Sequence, residues 1–143
     1  MAVIESSTLI KRSPEDVFDY LVDLRNELEW NPGVVSMEKL TDGPIGVGTR
    51  YLAKWKQSQR IEVECVAFDR PHRWAYTNGG PVSVTFTVTL TPYQTGTRLV
   101  ARFDARPRGW MRLVFPVFML VMKRQERANM VNIRRNLERS AAR

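Results

Sequence analysis

The sequence predicts an α+β protein: a curved antiparallel sheet of about seven strands wrapped around one long C-terminal helix, with two short helices after the first strand. Three observations predict it. From Pro116 to the end, the last third of the chain has no further Pro or Gly and consists mainly of good helix formers. At helical spacing Phe115, Met119, Met122, Met130, Ile133 and Leu137 fall on one stripe, while Lys123, Arg124, Arg127, Arg134 and Arg135 take the opposite side. The middle of the chain is a succession of short alternating segments joined by tight turns. A helix of this length needs a broad apolar surface, and a bent sheet gripping it covers both apolar faces.

The elements follow in order. Ala2 to Ile10 alternates loosely and reads as a strand. Ser13-Pro14-Glu15-Asp16 is a helix start, with Ser as N-cap, Pro at the first helical position and acids in the first turn. Val17, Phe18, Tyr20, Leu21 and Leu24 supply its apolar face. A second short helix covers Leu24 to Glu29 and stops before Asn31-Pro32-Gly33. Val34 to Leu40 is a strand closed by Thr41-Asp42-Gly43-Pro44. Thr49, Tyr51, Ala53 and Trp55 then alternate with Arg50, Leu52, Lys54 and Lys56. Ile61, Val63 and Cys65 alternate with Glu62 and Glu64. Arg73 to Asn78 follows the break at Arg70-Pro71-His72, with Trp74 and Tyr76 on one face. After the turn Gly79-Gly80-Pro81, Val84, Phe86, Val88 and Leu90 alternate with Ser83, Thr85, Thr87 and Thr89. Pro92 to Gly96 makes a hairpin loop, and Leu99, Ala101 and Phe103 mark the inner face of the last strand.

At 143 residues the chain is read as one domain, 1–143. Its N-terminus lacks the apolar core of a signal peptide. Leu113 to Met122 is strongly apolar, but a bilayer span takes about 20 residues. One cysteine, Cys65, excludes an internal disulfide and suits the cytoplasm. With a single histidine, His72, no zinc site of the usual Cys/His kind is expected. No cofactor and no metal are expected. The net charge is +7, and from Arg98 onward there are 12 Lys/Arg against 3 Asp/Glu. Such an excess attracts phosphates, anionic lipid surfaces or acidic ligands; otherwise it is a solvated helix face.

Several stretches resemble the helix-grip superfamily, which includes START lipid-binding domains, Bet v 1-like plant proteins and bacterial polyketide cyclase/dehydrase-like proteins. They are the run from Ser13 to Asp23 (SPEDVFDYLVD), Glu29-Trp30-Asn31-Pro32, Gly46-Val47-Gly48-Thr49, Arg70-Pro71 after Glu62 to Phe68, Gly96-Thr97, and Ile133 to Glu138 (IRRNLE). The resemblance covers nearly the whole chain. It implies the helix-grip fold and a deep apolar cavity between the sheet and the long helix. It implies no shared catalytic set, so the catalytic residues are left unassigned.

Alternation points Tyr51, Trp55, Trp74, Tyr76, Phe86 and Phe103 to the inner face of the sheet, and Met119, Met122 and Met130 face them from the helix. Methionine adapts to irregular shapes and suits a pocket for varied apolar ligands; plain core filling is the alternative for each residue. Glu126, in the middle of the apolar stripe, is costly to bury without a partner. It holds a ligand, acts as an acid or base, pairs with an inward arginine, or lies where the helix leaves the sheet. Trp30 caps the pocket or packs under its loop. His72 is read as an exposed turn residue and Cys65 as a small buried one. Val114, Val117, Leu120 and Val121 do not fit the core stripe. They pack under the loop at Gly79 and Gly80, form a dimer contact, or touch a membrane.

The first functional expectation is binding of a hydrophobic small molecule, such as a lipid, a polyketide or an aromatic compound. The alternative is a polyketide cyclase/dehydrase-type enzyme in which Glu126, a tyrosine or Arg102 moves a proton. A homodimer and a weak contact with an anionic membrane are further candidate partnerships. Nucleic acid is disfavoured, because the aromatics are not interleaved with the basic residues as a stacking platform requires.

Overall fold

The computed structural model describes residues 2–56, 59–79 and 82–141. The chain runs β1 (Ala2–Ile10), α1 (Pro14–Leu21), a 3-10 turn (Leu24–Asn26), α2 (Glu27–Trp30), β2 (Val34–Lys39), β3 (Arg50–Trp55), β4 (Arg60–Asp69), β5 (Arg73–Asn78), β6 (Val82–Tyr93), β7 (Gly96–Pro107) and α3 (Met111–Ala141). The seven strands form one sheet in the order β1-β7-β6-β5-β4-β3-β2, with every neighbouring pair antiparallel. Irregular pairing at Val34/Ser36 and at Cys65/Ala67 marks bulges, which strengthen local twist.

Sequence signals account for the boundaries. The Ser13 side chain accepts a hydrogen bond from Asp16 N at 3.2 Å and caps α1, with Pro14 at its first position. The second helix is split. Asp23 caps a 3-10 turn through Arg25 N, and only then does the four-residue α2 begin. Thr49 is buried in the turn before β3, its hydroxyl accepting from Gly46 N at 2.9 Å, so that strand starts at Arg50. Gly80 and Pro81 lie outside the described residues. At Gly96 the backbone passes so close to β1 that a Cβ would sit 2.2 Å from the Ile10 carbonyl oxygen. Only glycine fits where β1 ends against β7, and Thr97 Oγ1 donates to the Arg12 carbonyl beside it at 2.7 Å.

All three helices lie on one face of the sheet. Phe18 of α1 meets Phe68 and Trp74 edge-on, each at 5.1 Å. Met130, Ile133 and Leu137 of α3 join the same core as Tyr51, Trp74, Leu90 and Leu99. A second apolar cluster gathers Ile4, Val82, Phe103 and Ala105 under Met111, Phe115, Phe118, Met119 and Met122 of α3. Among the described residues no helix is long and apolar enough to cross a membrane.

Candidate functional site

The site is built where α2 crosses α3. Leu24, Glu27 and Trp30 are spaced three apart, which puts them on one face of the 3-10/α2 segment. Two amides fasten that segment to α3: Asn132 Nδ2 donates to the Trp30 carbonyl at 2.9 Å and Asn136 Nδ2 to the Glu29 carbonyl at 3.1 Å. On α3, Glu126, Asn129, Met130 and Ile133 turn inward and are buried. Between these elements and the sheet lies an apolar void. It is lined by Leu21, Leu24, Glu27 and Trp30, by Trp74 of β5, Phe86 and Val88 of β6, Leu99 and Ala101 of β7, and Met130 and Ile133 of α3.

The deep cavity implied by the resemblance is narrow here. The void measures about 10 Å³, roughly the room for one water. The physical reason is bulk: Trp74, Tyr51, Phe18, Leu90 and Leu99 are fully buried and fill the rest of the space.

One carboxyl, that of Glu27, lines this void, and a second, that of Glu126, is buried close enough for its charge to act on the first. Glu27 is half-buried as a residue, but its carboxyl is enclosed. Burial, together with the negative charge of Glu126, pushes it up to about 8, against the pull of the Asn31 side chain. Burial raises Glu126 to about 7, opposed by a hydrogen bond from Asn129. Neither forms an ion pair among the described residues. Both carboxyls therefore resist ionisation near neutral pH, because burial penalises their charged forms. Trp30 lines the void beside Glu27, and its buried Nε1 has no hydrogen-bond partner among the described residues. Deeper in the core Tyr76 Oη donates to the Val22 carbonyl at 2.6 Å. The Tyr51 hydroxyl lies near Tyr76 and the Leu24 backbone, but meets hydrogen-bond geometry with neither. Burial raises both phenols above their ordinary range.

Of the residues singled out from the sequence, Trp30, Trp74, Phe86 and Met130 line the void. Glu126 is buried on the inner side of α3, as its helical phase requires, and its charge reaches Glu27. Tyr51 and Tyr76 face inward but are packed against each other at 5.8 Å within the core. Trp55 is half-buried at the edge of that core. Phe103, Met119 and Met122 belong to the second cluster, away from the void lining. Arg102 is exposed on the outer face of β7, opposite Glu5 and Thr87, and cannot reach the carboxyl pair. His72 is exposed, and Cys65 is buried with its thiol against the Ala67 carbonyl at 3.3 Å. Glu27 escaped the sequence reading; its three-residue spacing from Leu24 and Trp30 was the available signal.

A family model described as polyketide cyclase/dehydrase and lipid transport matches residues 1–138. No curated protein matches the chain in sequence. Among solved structures, TTHA0849 from Thermus thermophilus superimposes with a TM-score of 0.77 at 16% identity, covering 97% of this chain and 99% of that one. The di-domain ARO/CYC StfQ from the steffimycin biosynthetic pathway gives 0.76 at 14% identity, covering 99% of this chain and 52% of that one. Ara h 8.0201 gives 0.65 at 17% identity, covering 92% and 97%. At these identities the likeness is one of fold. With the family model matching nearly its whole length, the chain belongs to the polyketide cyclase/dehydrase and lipid-transport family of the helix-grip superfamily.

Proposed function

We propose that the protein binds a hydrophobic small molecule, a lipid, polyketide or aromatic compound, between the sheet and α3, with Glu27 and Glu126 holding its polar group. The observation that supports this is the carboxyl pair itself. Glu27 lines the void and Glu126 is buried within reach of it electrostatically, and neither carboxyl forms an ion pair among the described residues. Such an arrangement costs stability, and a ligand hydroxyl, carbonyl or ammonium offsets it. Entry of a ligand must widen the void, and the adaptable Met130 side chain in its lining is the part suited to yield.

The test is a titration with a neutral apolar dye, N-phenyl-1-naphthylamine, against the parent and Ala101→Phe. The expected result is saturable enhancement in the parent and at least tenfold weaker binding in the variant, which fills the void. No enhancement with any of a panel of such dyes, or equal binding by a folded Ala101→Phe, would sink the reading.

The enzymatic alternative draws on the same pair. With values near neutrality, one carboxylate can take a proton from the carbon beside a ketone while its protonated neighbour hydrogen-bonds the carbonyl oxygen. Turnover of a poly-β-ketone that Glu27→Gln and Glu126→Gln each abolish, while dye affinity stays within about threefold, distinguishes catalysis from binding.

A further inference from the structure

The opening turns of α3 present an apolar face that no described residue covers. Trp110 is 69% exposed, Leu113 85%, Val117 65% and Leu120 55%. Leu113, Val117 and Leu120 succeed one another at helical spacing, and Arg124 continues the same line. The loop at Gly79 and Gly80, under which this segment is expected to pack, includes Gly80, which lies outside the described residues; Val114 and Val121 are exposed as well.

Charge decides what this face suits. Arg108 and Arg112 stand before it and Lys123, Arg124 and Arg127 after it, all exposed. From residue 105 to 125 the chain has no acidic residue, and Glu126 is turned into the core. An apolar strip closed at both ends by cations matches an apolar medium under an anionic surface. A second copy of the chain is a poor match. In a two-fold contact the patch meets itself, and its cations face the same cations. The strip is also too short to cross a bilayer, so the helix lies in the interfacial plane with its apolar residues inserted.

We infer that the first three turns of α3 dock the protein on an anionic lipid bilayer, with Trp110, Leu113, Val117 and Leu120 inserted and the flanking cations on the head groups. This docking is independent of the carboxyl pair and does not require a ligand in the void.

Sedimentation with vesicles tests it, using phosphatidylcholine alone and phosphatidylcholine mixed with phosphatidylglycerol, at low and high salt. The parent is expected to pellet with the mixed vesicles at low salt and at least tenfold less at high salt, because the cation contribution is screened. The double variants Leu113→Asp/Leu120→Asp and Arg124→Glu/Arg127→Glu should each pellet at least tenfold less. These residues are exposed, and circular dichroism checks that the variants remain folded. Binding should shift tryptophan emission to the blue, and Trp110→Phe should remove that shift. The proposal is overturned by absence of pelleting with anionic vesicles, by equal pelleting with neutral ones, or by pelleting that the Leu113/Leu120 variant retains. It is equally overturned if the parent is a dimer that Leu120→Asp dissociates, since the occupant is then a second copy.

Discussion

The two halves of α3 share one helix and one inner stripe, yet they stand differently in the protein. From Glu126 to Glu138 the inner residues Met130, Ile133 and Leu137 are buried in the main core. That half is also tied to the rest of the chain. Asn132 and Asn136 hold α2, the Arg12 guanidinium donates to the Leu137 carbonyl at 2.8 Å, and Lys11 N donates to Glu138 at 3.0 Å. From Met111 to Met122 even the inner residues Phe115, Met119 and Met122 are only partly buried, and the outer ones are apolar. Pro116 also removes one backbone hydrogen bond from this front half. The rear half is held by the fold, and the front half leaves surface that the fold does not use.

The contrast can be tested from its strongest point downward. Ile133→Ala in the rear half should cost about 2–5 kcal/mol in denaturant unfolding, through lost burial and the cavity left behind. A loss under about 1 kcal/mol would mean that the rear half is not the anchor.

Next comes the buried carboxyl at the junction of the halves. Its folded value, about 7, lies above the ordinary 4.5, so the fold prefers the protonated form. The stability this contributes is present in full below about pH 4.5 and is lost as pH rises through 7. The parent should therefore weaken between about pH 5 and pH 8. Glu126→Gln should be flatter over that range, and more stable than the parent at pH 8 by on the order of 2 kcal/mol. Parallel pH profiles from thermal melts would show that Glu126 is not buried in the way described.

Smaller effects follow. Asn132→Ala removes the tie to the Trp30 carbonyl and should cost about 1 kcal/mol by the same unfolding assay. Smallest of all, Leu120→Ala in the front half should change stability by no more than about 0.5 kcal/mol. If it costs as much as Ile133→Ala, the outer face of the front half is packed after all, and the two halves do not differ.

The sequence made some of this legible and not the rest, for physical reasons. Periodicity over a helix of 31 residues averages out local irregularity, so the inward placement of Glu126 could be read directly. Alternation likewise assigned Trp74, Phe86 and Phe103 to the correct face of the sheet. It does not say how far along the sheet each side chain lies, so Phe103, Met119 and Met122 fell in with the void residues although they pack elsewhere. Glu27 sits in a four-residue helix, too short for a periodic signal. The width of the void depends on how Trp74, Tyr51, Phe18 and Leu99 fill space between elements far apart in sequence, which no local pattern records.

The position of β1 beside β7 has a consequence for the order in which the chain can assemble. Ala2 pairs with Ala105 and Ile10 with Thr97, so the first strand made must wait for nearly the last. At about 5–20 residues per second of synthesis that wait is roughly 5–20 s. Throughout it β1 offers two open edges, and Ile4 and Ile10 have no core to enter. A nascent chain stalled after Tyr93 should therefore bind hydrophobic-segment chaperones through β1, and release them once β7 has emerged. Because such long-range pairing gives the fold a high contact order, refolding should be slow compared with a helical bundle of the same length.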